Sequence, residues 1–299
     1  MTKDSSNIQK WIEGIPYEIA FWNNVYRWKR PFDGLMKWSH YGNIIELECF
    51  DASQFLENQE NPLVLDVGAG MSYATGNYIN KGGEKTPLDI HYVDPLAPFF
   101  NKILKKYKKN LPEIDFGMME YLSAFYPDHN VDLVIIQNAL DHSSNPLKGI
   151  YEAVDTLRVS GKLYLNHHPN EAEMEHYKGF HQFNICAENE KLTIWNKSER
   201  YDIAELLHDF AEVETATAES GHVIAIITKK SDVPYDLLGD KNDKRVLAEA
   251  LLQQSFSSFS FAKRLRMSLL YWKYNFIQFV IQGLPWDLRM KIKRLIKQA

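Results

Sequence analysis

Two groups of residues in this 299-residue chain have the types and spacing to do chemistry. In Val64-Leu-Asp-Val-Gly-Ala-Gly-Met-Ser-Tyr-Ala-Thr-Gly76, an apolar run meets Asp66 and is followed by Gly68, Ala69 and Gly70. Glycines at such a bend, where the backbone is expected to turn sharply toward a helix, permit positive φ and let a ligand lie close to the main chain. Asp66 would repel a nucleotide pyrophosphate, so the loop suits a ligand that brings positive charge and no phosphate. Asp94, with Pro95, ends a second apolar run, where a carboxylate can accept both hydroxyls of a ribose. The second group is His142, His167, His168 and His181. Histidine is the side chain best matched to moving a proton near neutral pH. The first three follow aliphatic runs, at the ends where parallel strands open onto a ligand crevice.

The elements that must hold these residues are legible as alternating patterns. Residues 63–67, 90–93, 131–136 and 162–166 are short aliphatic runs, with amphipathic helices expected over 99–107 and 147–158 between them. This is the pattern of parallel βαβ units. A helix over 203–210 and a hairpin from 211–217 and 222–228 would add an antiparallel strand. The fold class expected is α/β, a doubly wound, mostly parallel seven-stranded sheet with an N-terminal helical cap and a C-terminal helical extension. Residues 1–60 form the cap, 61–230 the cofactor-binding domain with an insertion at 169–200, and 231–299 a linker and tail. In the cap, aromatics recur at Trp11, Tyr17, Phe21, Trp22, Tyr26, Trp28, Phe32 and Trp38, punctuated by Pro16 and Pro31. Most are expected as packing surface and some as lining of a substrate cleft.

These motifs resemble the class I S-adenosylmethionine-dependent methyltransferases over roughly residues 61–229. The resemblance implies S-adenosyl-L-methionine as cofactor, with the glycine loop at Leu65-Asp-Val-Gly-Ala-Gly70 and the ribose-binding acid at Asp94. It places Glu120 and Tyr121 near adenine, although Met118-Met-Glu-Tyr-Leu122 departs from the commoner Gly-Asp-Ala. Asn138-Ala-Leu-Asp-His-Ser-Ser-Asn-Pro146 is similar to the family's loop after the fourth strand, with Asn138 on the cofactor. The insertion is similar to methyltransferases associated with bacterial surface-polysaccharide assembly. That likeness implies O-methylation of a sugar hydroxyl or a sugar-linked phosphate, the phosphate needing cations such as Lys178 or Arg200. The insertion is expected as a hairpin over the mouth of the site, with Phe183 and Trp195 available to stack on a ring. No metal is expected, because adjacent His167 and His168 point different ways and no ligand spacing is distinctive.

Composition sets the outer bounds. A formal charge of -5 argues against a surface devoted to nucleic acid. Two cysteines, Cys49 and Cys186, support no disulfide framework, and the polar N-terminus shows no secretory signal, so a cytoplasmic protein is expected. Residues 255–299 hold nine basic residues against the single acid Asp287, a local charge of +8, interleaved with aromatics. Such a tail either meets an anionic membrane surface, giving peripheral attachment at the inner face, or packs as a helical hairpin on protein. The acceptor is expected to be a small molecule or glycan, and the oligomeric state is open. Two other readings stand beside the methyltransferase. One is a membrane-associated interaction protein that keeps a cofactor-binding fold without turnover. The other is a nicotinamide-dependent oxidoreductase, against which Asp66 and Tyr73 in place of a third glycine both argue.

Overall fold

The aliphatic runs form a sheet because each is flanked by elements that bury both of its faces. The computed structural model describes residues 3–27, 52–56, 60–73, 75–81, 84–177, 180–238 and 241–257, and the isolated positions 265, 269 and 288. In chain order the elements are α1 (Lys3–Arg27), α2 (Ser53–Leu56), β1 (Leu63–Val67), β2 (Tyr78–Lys81), β3 (Glu84–Pro87), β4 (Asp89–Asp94), α3 (Ala97–Lys106), β5 (Asp115–Phe116), β6 (Val131–Gln137), α4 (Pro146–Thr156), β7 (Leu157–His167), α5 (Glu171–Met174), β8 (Asn184–Glu188), β9 (Lys191–Trp195), β10 (Arg200–Asp202), α6 (Ile203–Leu207), β11 (Ala211–Thr217), β12 (Val223–Lys229), α7 (Tyr235–Leu238) and α8 (Lys241–Ser257). Short 3-10 turns occupy Met119–Ala124 and Leu140–His142.

Seven strands form the main sheet in the order β11-β12-β7-β6-β1-β4-β5, and β12 is antiparallel to both of its neighbours. Its centre alternates with period two. Leu65, Val67, Val134, Ile136, Leu163 and Leu165 join one buried cluster, while Val64, Leu133, Ile135 and Tyr164 join another. The sheet and its antiparallel strand agree with the sequence. The strands open at one end onto a crevice beside β1, where the winding reverses.

Three differences from the sequence reading bear on function. No helix follows the glycine loop among the described residues; a two-stranded hairpin, β2 with β3, leads to β4 instead. Gly82 and Gly83, a turn-forming pair, separate the two strands in the sequence. Ile79 of the hairpin and Leu56 of α2 fill the sheet face that a crossover helix would cover. Second, α1 runs through Pro16 as one 25-residue helix. The hydrogen bond lost at Pro16 is outweighed by the burial of Trp11, Ile12, Ile15, Trp22, Val25 and Tyr26 against the loop and α3. Third, the insertion is a three-stranded meander, β10-β9-β8, whose Phe183, Ile185, Leu192 and Ile194 belong to the main core.

The stretch 230–242, expected as a linker, contains α7 and the start of α8, and α8 packs on the domain. Its Lys244, 2% exposed, pairs with Glu152 of α4 at 2.5 Å and reaches Ser123 Oγ at 3.1 Å. The expected aromatics Trp28, Phe32 and Trp38 and nearly all of the basic tail lie outside the described residues. Among the described residues no helix is long and apolar enough to cross a membrane.

Candidate active site

A cleft of about 670 Å³ opens at the carboxyl ends of β1, β4, β6 and β7 and is closed on one side by α1. Its floor is built by the main chain. Gly68, at φ +70°, donates its N–H to the Val93 carbonyl at 2.8 Å, pinning the loop onto β4. Gly70, at φ +55°, donates to Asp94 Oδ2 at 3.0 Å, and Asp94 Oδ1 accepts from the Leu96 N–H at 2.7 Å. Two amides therefore fix the Asp94 carboxylate and leave its remaining lone pairs for a ligand. A Cβ at Gly68 would fall 2.5 Å from Ala139 Cβ, and one at Gly70 would fall 2.7 Å from the Trp22 indole. Neither position tolerates a side chain.

Ala69, Pro95, Glu120 and Asn138 also line the cleft. Glu120 Oε1 accepts from both the N–H and the Oγ of Ser144, at 2.8 and 2.7 Å. Asn138, in left-handed geometry, accepts the His168 N–H at 2.9 Å. Asn145 caps α4 by accepting the Lys148 N–H, which sets the path of the Leu140–Asn145 loop.

Two expected cofactor residues lie elsewhere. Asp66 is 3% exposed, does not line the cleft, and accepts the Thr75 hydroxyl; it braces the loop from behind. Burial pushes its carboxyl up to about 7. Tyr121 donates its N–H to Met118 and turns its ring under Lys148 Nζ at 4.3 Å, because the 3-10 turn rotates Met119 and Glu120 toward the cleft in its place.

The opposite wall is built from side chains. His181 Nδ1 lies 2.8 Å from Asp141 Oδ2, and His142 Nε2 lies 3.5 Å from the same oxygen. The two imidazoles meet edge to face at 4.5 Å. Burial alone would lower the His181 pKa, but the hydrogen bond and charge of Asp141 outweigh it and hold it above 6.5. Burial raises the pKa of Asp141, but the two histidines more than offset this and hold it well below the usual range. The His142 pKa is lowered, chiefly by burial, which favours its neutral form. Asp141, His142 and His181 also bring ligand-type atoms within 4.8 Å of one another, a spacing open to a divalent ion. The Asp141–His181 hydrogen bond already engages two of those groups, which favours proton handling.

His168 lines the cleft beside His222, ring centres 4.1 Å apart. His167, by contrast, is 1% exposed and points into the protein, with its pKa pushed down to about 4 by burial. Adjacent strand residues face opposite ways, so only one of the pair can reach the cleft. Further lining groups that the sequence did not single out include Glu18, Asn166 and His222. The helical spacing of Trp11, Glu18 and Trp22 was the available signal for Glu18. Of the insertion, Glu171, Phe180 and His181 reach the cleft, while Phe183 is in the core and Trp195 is not among the lining residues.

The lining fits a cationic ligand that lacks phosphate. Glu18, Asp94, Glu120 and Glu171 face the cleft, and among the described lining residues there is no Lys or Arg. Burial pushes Asp94 up to about 6 and Glu18 up to about 7, so the carboxylates await positive charge. The buried Gln137 Nε2 and Ser143 Oγ have no protein partner and border the same space. Among the described residues no helix N-terminus stands at the glycine loop to receive a pyrophosphate.

A family profile described as a methyltransferase domain matches residues 65–165, from β1 through β7. No curated protein matches the chain in sequence. Among solved structures, the chain is similar to a T. thermophilus 16S rRNA N2 methyltransferase in complex with AdoMet and guanosine, at 12% identity and TM-score 0.34, over 64% of this chain and 42% of that one. It is also similar to a chain of the Haloferax volcanii complex of a methyltransferase activator with a putative methyltransferase, at 14% identity and TM-score 0.42, over 70% and 98%. A Thermotoga maritima protein described as a possible histamine N-methyltransferase gives 15% identity and TM-score 0.38, over 70% and 99%. These likenesses carry no argument about the acceptor. Residues 65–165 thus form a methyltransferase domain, and S-adenosylmethionine is its cofactor.

Proposed function

We propose that the protein methylates a hydroxyl group of a sugar. The observation that carries this reading is the Asp141–His181 pair in the wall of the cleft, 2.8 Å apart, with Asp141 buried. When bound, S-adenosylmethionine supplies an electrophilic methyl group, to which the acceptor oxygen bonds as the bond to sulfur breaks. A neutral hydroxyl must lose its proton in that step, and His181 is placed to take it. Asp141 holds Nδ1, leaving Nε2 as the basic atom, and stabilises the imidazolium that forms. His142, neutral beside it, adds a second ring nitrogen.

A sugar fits the remaining wall. Trp11, Tyr17, Phe21, Trp22 and Phe180 offer apolar faces, while Asn166, His168 and His222 offer hydrogen bonds. That mixture suits a ring with C–H faces and hydroxyl edges. The absence of Lys and Arg among the described lining residues favours a hydroxyl over a phosphate as the methylated group. Of the two cations expected to serve a phosphate, Lys178 lies outside the described residues, and Arg200 is exposed and paired with Glu188.

The test is incubation with methyl-labelled cofactor and a panel of free sugars, sugar phosphates and nucleotide sugars. Label in an alkali-stable methyl ether, lost in Asp141→Asn while S-adenosylhomocysteine still binds, is expected. Label found in alkali-labile esters or on amines, or no label on any hydroxyl, overturns the reading.

A further inference from the structure

A second depression, about 190 Å³, lies beside the cleft and has the opposite charge character. It contains Lys10 from α1 and Lys197 from the turn after β9, with Asn7, Tyr177 and Gln182 around them and Glu199 as its acid. Its volume is in the size class of one sugar ring.

The depression is built firmly. Asn196 Oδ1 accepts the N–H groups of Ser198 and Glu199, at 2.8 and 3.0 Å, so the backbone of the turn that carries Lys197 is held in place. Lys197 Nζ stands 4.4 Å over the Tyr177 ring, whose hydroxyl is held by Asn184 Nδ2 at 3.0 Å. Gln182 joins the two sites. Its N–H donates to the Asp141 carbonyl at 3.3 Å, and its side chain donates to the Tyr177 carbonyl at 3.2 Å. Along α1, Lys10 precedes Trp11 of the cleft and lies eight residues before Glu18, about 12 Å at 1.5 Å per residue. The two depressions are therefore a few sugar units apart.

Resting on the sugar-hydroxyl reading, we infer that this depression is a subsite for an anion-bearing unit of the same acceptor, a sugar phosphate or a uronate. The acids of the cleft repel an anion from the methyl-transfer position, and the two lysines collect it about two helical turns away. The acceptor is then held in one direction, with its anion at Lys10 and Lys197 and its hydroxyl at His181. The charge contrast selects among acceptors as well as orienting them.

The test uses the full chain saturated with S-adenosylhomocysteine, titrated with glucose, glucose 1-phosphate and glucuronic acid. At least one anionic sugar should bind roughly tenfold or more tightly than glucose at low salt. The Lys10→Ala/Lys197→Ala double variant should erase that difference and leave S-adenosylhomocysteine affinity unchanged. Both lysines are exposed, so the fold should tolerate the substitutions. Tighter binding of the phosphate or of the carboxylate names the anion. Equal binding of neutral and anionic sugars, or a preference that survives the double substitution, overturns the inference. No methyl transfer enters the measurement, so its failure is separable from failure of the hydroxyl reading.

Discussion

The two halves of the cleft are made by different means. The half proposed for the cofactor is main chain: Gly68 and Gly70 at positive φ, tied by amides to Val93 and Asp94, with Glu120 held by Ser144. The half proposed for the acceptor is side chains brought from α1, the loop after β6, the insertion and the ends of β7 and β12. The first is fixed by backbone geometry that few sequences can supply. The second can change its ligand by changing side chains. A methyl donor needs one rigid seat, whereas acceptors differ.

If the division is sound, Asp141→Asn should lower kcat by about 10²- to 10⁴-fold, the range for losing a positioned proton acceptor, and shift S-adenosylhomocysteine affinity less than about twofold. A comparable loss of cofactor affinity, measured by calorimetry, would break the separation of halves. Asp94→Ala should do the reverse. Removing a carboxylate that hydrogen-bonds a ligand costs about 1.5–3 kcal/mol, or roughly 10- to 150-fold in cofactor Kd. The His181 ring resonances followed by NMR should not move in that variant.

The smallest effect is in pH. Asp94 titrates near 6 and Glu18 near 7, and their charged forms attract a cation. Cofactor binding should therefore tighten severalfold as pH rises through about 6 to 7 and flatten above. His181 accepts a proton only when neutral, and its pKa lies above 6.5. The kcat profile should rise with pH as His181 loses its proton, and in Asp141→Asn that limb should shift to lower pH. A Kd limb that moved with it in the same variant would mean that one set of groups serves both halves.

The glycine loop and the placing of Asp94 beside it were readable because their determinants are local, while Asp66 and Tyr121 were expected in the cleft and lie outside it. A strand, two glycines and an acid at the end of the next strand carry their own geometry. The acceptor half was readable only in its residue types. His181 was visible as a histidine, but its partner Asp141 is 40 positions away and follows a different strand. Glu18 sits on a helix whose periodicity marks a face without saying what that face covers. His167 and His168 could have been separated by strand alternation, given which face of β7 turns to the cleft. The missing crossover helix was misread because the glycine loop looks the same whichever element follows it.

The pair of Lys244 and Glu152 changes how the end of the chain should be regarded. Glu152 also accepts from the N–H and Oγ of Ser123, at 3.0 and 2.6 Å, in the same turn that carries Glu120. Without α8 the carboxylate would remain in the core with no counter-ion, at a cost of about 3–5 kcal/mol. Helix α8 is therefore part of the folding unit, and any pull on the segment after it bears directly on the turn that carries Glu120 into the cleft.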